Sequence, residues 1–126
     1  GSPEMLALAR QTADTLPLAR CTAGGRCLDH QPRVVVGGNG VSGPTFVDNT
    51  EYRQWVWQTF QADVTDMETA AVAHVAYVNR VPFVAFRALS DLAGGGNDRN
   101  EIAIYYQLAA DNAAAAAEEL VRRWPQ

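Results

Sequence analysis

Two short acidic motifs contain the residue types that could carry chemistry. In Asp66-Met67-Glu68, Glu68 stands where a predicted strand is followed by a predicted helix. A carboxylate there either caps the helix N-terminus or accepts hydrogen bonds from two adjacent hydroxyl groups of a ligand. In Ser90-Asp91, the carboxyl group follows a second predicted strand. Asp91 is there either a general acid at the ligand-binding edge of an α/β sheet or the cap of a turn.

A glycine-rich segment at residues 37–42 also follows a predicted strand. Glycines let a ligand approach the backbone closely, but the dinucleotide-binding spacing is absent and no helix starts directly after the segment. We predict structural roles for both histidines. His74 lies inside an apolar helix, and His30 is expected to be exposed near the cysteines.

Cys21 and Cys27 are the two cysteines of the chain and flank a pair of glycines. This arrangement suits either a small disulfide loop at a hairpin tip or two independent thiols. Zinc requires four ligands and only His30 lies near, so we predict no metal site. A disulfide would indicate an oxidising compartment.

The hydrophobic pattern predicts helices that alternate with strands. The predicted helices are residues 3–16, 52–60, 68–78 and 101–124; the strands are 33–36, 82–89 and, more weakly, 62–66; residues 18–29 form two extended pieces, and 40–44 and 92–100 are loops. Helix 68–78 has almost no polar face and is expected to be buried. Apolar strands between helices are typical of an α/β layered fold with a largely parallel sheet.

Composition limits the function classes. The chain has 126 residues, 48% of them hydrophobic, and a net charge of −4. This length suits one domain, and the mild acidity argues against nucleic acid as a partner. No apolar run reaches the ~18 residues that a membrane span needs. The predicted strands are fewer than the roughly 4–6 of a usual sheet, so we expect the chain to be part of a larger domain.

Three ordered motifs resemble the nucleoside phosphorylase and nucleosidase superfamily. They are residues 66–76 (Asp-Met-Glu-Thr-Ala-Ala-Val-Ala-His-Val-Ala), 81–84 (Val-Pro-Phe-Val) and 87–91 (Arg-Ala-Leu-Ser-Asp). In this order they are similar to the signature of the methylthioadenosine/S-adenosylhomocysteine nucleosidases. The resemblance implies a three-layer α/β sandwich of the nucleoside phosphorylase type, with mixed, largely parallel strands.

Residues 37–42, 46–49 and 89–96 resemble more closely the branch that contains plant bark storage proteins and their bacterial relatives. A paired cysteine loop and a secretory route are usual in that branch. The resemblance therefore implies a Cys21–Cys27 disulfide and a periplasmic or secreted location, with the cytoplasm as the alternative.

The resemblance places residues 1–126 as the carboxyl-terminal half of a single domain. In the family, the amino-terminal half brings the phosphate site and the glutamate that positions the attacking water. A complementary amino-terminal half is therefore an expected partner, and the family also implies a homo-oligomer. Neither nucleic acid nor a membrane is an expected partner.

The family motifs imply roles for four residues near the reacting bond. Asp91 matches the general acid that protonates N7 of the leaving purine, and Ser90 matches the neighbour that orients it. Glu68 matches the residue that holds the ribose hydroxyls. Met67 matches the residue that packs on the sugar.

Three further positions match the base and 5′ side of the substrate. Phe46 corresponds to the aromatic residue that stacks on the base, and the Val47 backbone to the group that reads its edge. Ile102 falls where some members place a hydrophobic lid over the 5′ substituent. Residues 42–46 read Ser-Gly-Pro-Thr-Phe, whereas nucleosidases commonly have Ser-Gly-Asp before the aromatic residue, so the base-side loop is expected to differ in shape.

These assignments predict cleavage of the N-glycosidic bond of a purine nucleoside or thionucleoside by water, without a cofactor. One alternative is a purine nucleoside phosphorylase, with phosphate as co-substrate. The other is a non-catalytic storage or nucleoside-binding protein on the same scaffold.

Overall fold

The computed structural model describes residues 1–94 and 102–125. Its elements are α1 (Pro3–Thr12), β1 (Asn39–Ser42), α2 (Thr50–Phe60), β2 (Ala62–Asp66), α3 (Thr69–Val78) and α4 (Ile102–Arg123). The two strands pair in parallel, and α2 connects them and packs against both. The described residues therefore form a partial α/β fold of the predicted class.

Helix α2 and the strands form one βαβ unit whose ends are defined by local contacts. Asn49 caps α2 because its side chain accepts a hydrogen bond from the Tyr52 N–H at 2.8 Å. Gln61 ends the helix in the left-handed conformation, at φ 51°. In the sheet register Ser42 lies opposite Asp66. The carboxyl ends of both strands therefore meet at one edge.

Helices α1 and α4 pack together and contribute most of the small core. Ser2 has an extended backbone ahead of Pro3, which suits the first helical position. The residues buried in this pair are Ala9, Thr12, Leu108 and Leu120; on α2, Val56 is buried. No helix within residues 1–94 and 102–125 is long and apolar enough to cross a membrane.

The predicted disulfide between Cys21 and Cys27 is confirmed. The two cysteines form an antiparallel bridge, and Gly25, at φ 82°, lies in the turn between them. Asn112 of α4 fastens the segment before this loop. It accepts the Ala19 N–H at 2.8 Å and donates to the Ala19 carbonyl at 2.9 Å.

The strand predicted at 33–36 and the loop predicted at 40–44 are wrong. The ladder begins later, at Asn39, after Gly37 and Gly38 have redirected the chain with positive φ angles. The Asp63 carboxylate accepts the Asn39 N–H at 3.1 Å, and a Cβ on Gly38 would collide with it. The β-branched run at 33–36 precedes this redirection and finds no strand partner in the described chain.

Two other expectations also fail. Residues 82–89 are not a strand, because no described strand pairs with their backbone; instead, the Phe83 carbonyl accepts the Ser2 N–H at 2.7 Å. Helix α3 is apolar as predicted but has no buried residue, and Val75 and Tyr77 are 64% and 84% exposed. His74 is exposed for the same reason, since no described element covers the outer face of α3.

Candidate active site

The edge where β1 and β2 end is organised around the Asp66 carboxylate, whose side chain is only 12% exposed. Asp66 accepts hydrogen bonds from the Thr69 N–H, at 3.2 Å, and from the Thr69 hydroxyl, and so caps α3. Ser42 at the end of β1 also hydrogen-bonds to Asp66, and its Oγ accepts the Ala70 N–H at 3.0 Å. One carboxylate therefore joins both strand ends to the start of α3.

Burial would raise the pKa of the Asp66 carboxyl, but the opposing contacts are stronger. Hydrogen bonds from Ser42, Thr69 and Arg87 favour the ionised form and lower its pKa to about 2. Asp66 is therefore a fixed negative charge at neutral pH.

Arg87 connects this carboxylate to Glu68. Its Nε donates to Asp66 Oδ2, and its Nη2 lies 3.7 Å from Glu68 Oε2. The distance to Glu68 is an ion-pair distance, too long for a hydrogen bond. The Glu68 side chain is 66% exposed. Its oxygens therefore remain available to hydroxyl groups of a ligand.

Ser90 and Asp91 form the second acidic group. The Ser90 hydroxyl donates to Asp91 Oδ2 at 2.8 Å, and both residues are half-buried. This contact restricts the rotation of the Asp91 carboxyl. Arg87 lies in the same motif, four residues earlier, so one short segment contributes to both acidic groups.

The backbone after Asp91 is fastened to the loop and helix that follow Phe46 and Val47. The Gly94 N–H donates to Asp48 Oδ1 at 2.9 Å, and Thr50 Oγ1 donates to the Gly94 carbonyl. Arg53 of α2 donates to the Ala93 carbonyl at 2.9 Å. These contacts bring the predicted base-binding segment and the Asp91 segment together.

Phe46 and Val47 line an open cleft of about 550 Å³. Phe46 is 57% exposed, so its ring face is free to stack on a planar ligand. Tyr52 and Trp55 also line this cleft, with ring centroids 5.5 Å apart. The cleft suits a flat aromatic base.

Two further predicted site residues are Met67 and Ile102. Met67 lies between β2 and Glu68 and is 45% exposed. Ile102 is half-buried at the first residue of α4, and its role as a lid over a 5′ substituent stays a prediction. The described part of the chain contains no cluster of three or more side chains suited to hold a metal ion.

Sequence reasoning missed the contributions of Asp66, Arg87 and Arg53. A signal for Arg87 was present, since a single cation interrupts an otherwise apolar segment just before Ser90-Asp91. The sequence pattern marks Asp66 only as the first residue of the motif that contains Glu68. Arg53 carried no signal, because its acceptor carbonyls are 39 and 40 residues away.

The lowered pKa of Asp66 predicts an acid-sensitive contribution to folding. The pKa of the Asp66 carboxyl is about 2 in the folded state, below its ordinary value of 3.8, so the ionised form stabilises the fold above pH 3.8 and this contribution is lost as the pH falls through 2. The difference corresponds to about 2 kcal/mol. When urea unfolding is measured between pH 5 and pH 1.5, the free energy of unfolding should fall by a larger amount in wild type than in Asp66→Asn. Parallel curves for the two proteins would contradict it.

Comparison with known proteins identifies the family of the chain. The profile of the phosphorylase superfamily matches residues 1–123. A 5′-methylthioadenosine/S-adenosylhomocysteine nucleosidase of Staphylococcus epidermidis is 39% identical over 82 residues, 64% of this chain and 34% of the relative. The enzyme of the same name from Treponema pallidum is 45% identical over 64 residues, 51% of this chain and 24% of the relative.

A third relative of the same name, from Staphylococcus saprophyticus, is 33% identical over 97 residues, which are 76% of this chain and 40% of the relative. The chain thus spans between a quarter and two fifths of the length of these three curated relatives. No solved structure shows a significant match. The family profile nevertheless covers nearly the whole sequence and includes both acidic motifs, and on that basis the chain belongs to the phosphorylase superfamily.

Proposed function

We propose that this chain supplies the ribose- and base-recognising part of a nucleosidase that cleaves the N-glycosidic bond of a purine nucleoside or thionucleoside. The observation that carries the proposal is the connection between the two acidic motifs. Arg87, from the motif that contains Asp91, lies against Glu68 while Ser90 orients Asp91. The nucleosidase names of the relatives support the same reaction class.

In the proposed reaction, Glu68 accepts hydrogen bonds from the two ribose hydroxyls, and the base stacks on Phe46. Protonated Asp91 donates its proton to N7 of the purine as the C1′–N9 bond breaks and its electron pair moves to the base. The ribose then has oxocarbenium character, and water attacks C1′ and releases a proton to solvent, from which Asp91 is reprotonated, so that hydrolysis is complete. A positioned general acid contributes about 10²–10⁴-fold to a rate. No cofactor takes part in this scheme.

We further propose that a complementary amino-terminal half completes the site, with residues 1–126 as the carboxyl-terminal half of the domain. The exposed apolar surface of α3 supports this, because such surfaces mark contacts with other protein segments. The family resemblance supports assembly into a homo-oligomer. The Cys21–Cys27 disulfide supports a periplasmic or secreted location.

A fusion enzyme tests the catalytic part of the proposal. In this protein the chain replaces the segment that it matches in the S. epidermidis nucleosidase, and adenine release from 5′-methylthioadenosine is followed by chromatography. We expect release that falls in Glu68→Gln, with a higher KM and a lower kcat, because the ribose hydroxyls lose a charged acceptor. The matched control is Glu118→Gln, the same chemical change on the exposed face of α4.

The control variant should retain the activity of the unmodified fusion. A fusion that binds adenine but releases none from the nucleoside would favour the storage or nucleoside-binding alternative. Equal rates for Glu68→Gln and the unmodified fusion would remove Glu68 from the site.

A further inference from the structure

We infer that Asp66 is a positioning residue for the ribose site: its carboxylate holds the Arg87 guanidinium so that Glu68 stays oriented and its oxygens stay free to bind hydroxyl groups. This inference rests on the proposed function, in which Glu68 is the acceptor for the ribose diol. The Asp66 side chain itself lies behind the binding edge and is not proposed to touch the ligand.

The Glu68 side chain is weakly held in the described structure. It is 66% exposed, and the only partner in the described structure is Arg87, at 3.7 Å. An exposed ion pair of this kind contributes little by itself. Ordering a flexible side chain when a ligand binds costs conformational entropy. Glu68 therefore needs a partner that is already fixed if its orientation is to be set before binding.

Asp66 provides that fixation. Its own carboxylate is nearly buried and is held by Thr69 and Ser42, so it cannot move away from the strand ends. It engages Arg87 through Nε, which leaves the Nη2 side of the guanidinium directed at Glu68. A planar guanidinium can contact two carboxylates in this way through separate N–H groups, whereas a lysine ammonium offers only a point charge.

Asp66 and Glu68 compete for the Arg87 guanidinium. Without the Asp66 charge, Arg87 could form a bidentate pair with Glu68, the strongest geometry available to an arginine and a carboxylate. Both Glu68 oxygens would then be occupied, and a ribose diol would have to displace the arginine. Asp66 therefore acts in two ways, since it orients Arg87 and prevents it from closing the acceptor.

The experiment compares the affinities of the full chain for adenine and for 5′-methylthioadenosine by NMR titration, together with hydrogen exchange of the Arg87 Nε–H. The ratio of the two affinities measures the contribution of the ribose side, and adenine binding reports an intact base cleft. For Asp66→Asn we expect the ratio to fall about tenfold, the scale of a lost hydrogen bond to a charged group, with adenine affinity unchanged. The Arg87 Nε–H should exchange faster.

Matched variants separate positioning from folding. Asp63→Asn removes a carboxylate from the same strand, where among the described residues it accepts the Asn39 N–H, and should leave the ratio and the Arg87 exchange unchanged. Asp66→Glu restores the charge and should recover part of the ratio. Arg87→Gln keeps the Asp66 cap on α3 and should lower the ratio as Asp66→Asn does, which provides a second route if Asp66→Asn does not fold.

An unchanged ratio in Asp66→Asn and Arg87→Gln, or an equal fall in Asp63→Asn, would overturn the inference. So would wild-type exchange of the Arg87 Nε–H in Asp66→Asn. A wild-type chain with no preference for the nucleoside over adenine would instead contradict the ribose role of Glu68, and with it the proposed function. The Arg87 exchange in that case still decides whether Asp66 orders the guanidinium.

Discussion

Replacement of Asp91 by asparagine is expected to lower adenine release by the fusion enzyme about 10²–10⁴-fold, the usual contribution of a positioned general acid. Asparagine keeps the size of the side chain and an acceptor for the Ser90 hydroxyl, whose bond to Asp91 Oδ2 is 2.8 Å long. It cannot supply the proton that the leaving purine needs. The loss should therefore lie in kcat, with little change in the affinity for 5′-methylthioadenosine.

Steady-state kinetics and a binding titration on the same preparation separate these two quantities. Asp14→Asn is the matched control, because Asp14 is exposed just after α1 and the chemical change is identical. A wild-type kcat in Asp91→Asn would end the assignment of Asp91 as the acid. A loss confined to substrate affinity would indicate that Asp91 binds the base without transferring a proton.

Gly94→Ala is expected to disturb the site through the backbone. Gly94 has φ +70°, and a Cβ there would overlap the backbone of Asn49 and Thr50. Left-handed backbone and overpacking each cost an L residue at least 1 kcal/mol, so we expect the free energy of unfolding to fall by about 2 kcal/mol or more. Release of this segment would also loosen the Asp48 and Thr50 contacts beside Asp91, so turnover should fall with stability.

Urea unfolding of the full chain and turnover of the fusion enzyme measure both effects. Gly24→Ala is a suitable control, since Gly24 has ordinary φ and a Cβ would meet only Thr22 Oγ1 at 3.8 Å. The close approach of Gly94 to α2 would be disproved by a Gly94→Ala protein as stable as wild type. Full turnover in a destabilised Gly94→Ala would show that the segment does not position Asp91.

The sequence predicted those features that depend on neighbouring residues. Helix α2 followed from its hydrophobic spacing, and the hydrogen bond between Ser90 and Asp91 joins neighbouring residues. The start of β1 could not be read in this way. The run at 33–36 has the stronger β propensity, but the ladder depends on Gly38 and on the Asp63 carboxylate, which is 24 residues from Asn39. Pairing with a distant segment, rather than local β propensity, therefore decides which residues form the strand.

Contacts between distant residues of the site could not be predicted from local sequence either. The motif pattern identified Glu68 and Asp91 as the acidic groups, but the link between them through Arg87 and Asp66 joins residues that are 21 positions apart. For helix α3, local composition led to a prediction of burial that the structure does not show. Its apolar composition predicted burial, yet burial depends on a covering layer, and the composition of one helix says nothing about where that layer comes from.

The double hydrogen bond between Ala19 and Asn112 has a consequence for the order of folding. It joins residues 93 positions apart, whereas β1, α2, β2 and α3 follow one another through short connections. The entropy lost on closing a loop grows with the logarithm of its length, so the contact with α4 is the more costly one to form early. We therefore expect the β1–α2–β2–α3 segment, which carries Asp66 and Glu68, to form before the contact between Ala19 and Asn112.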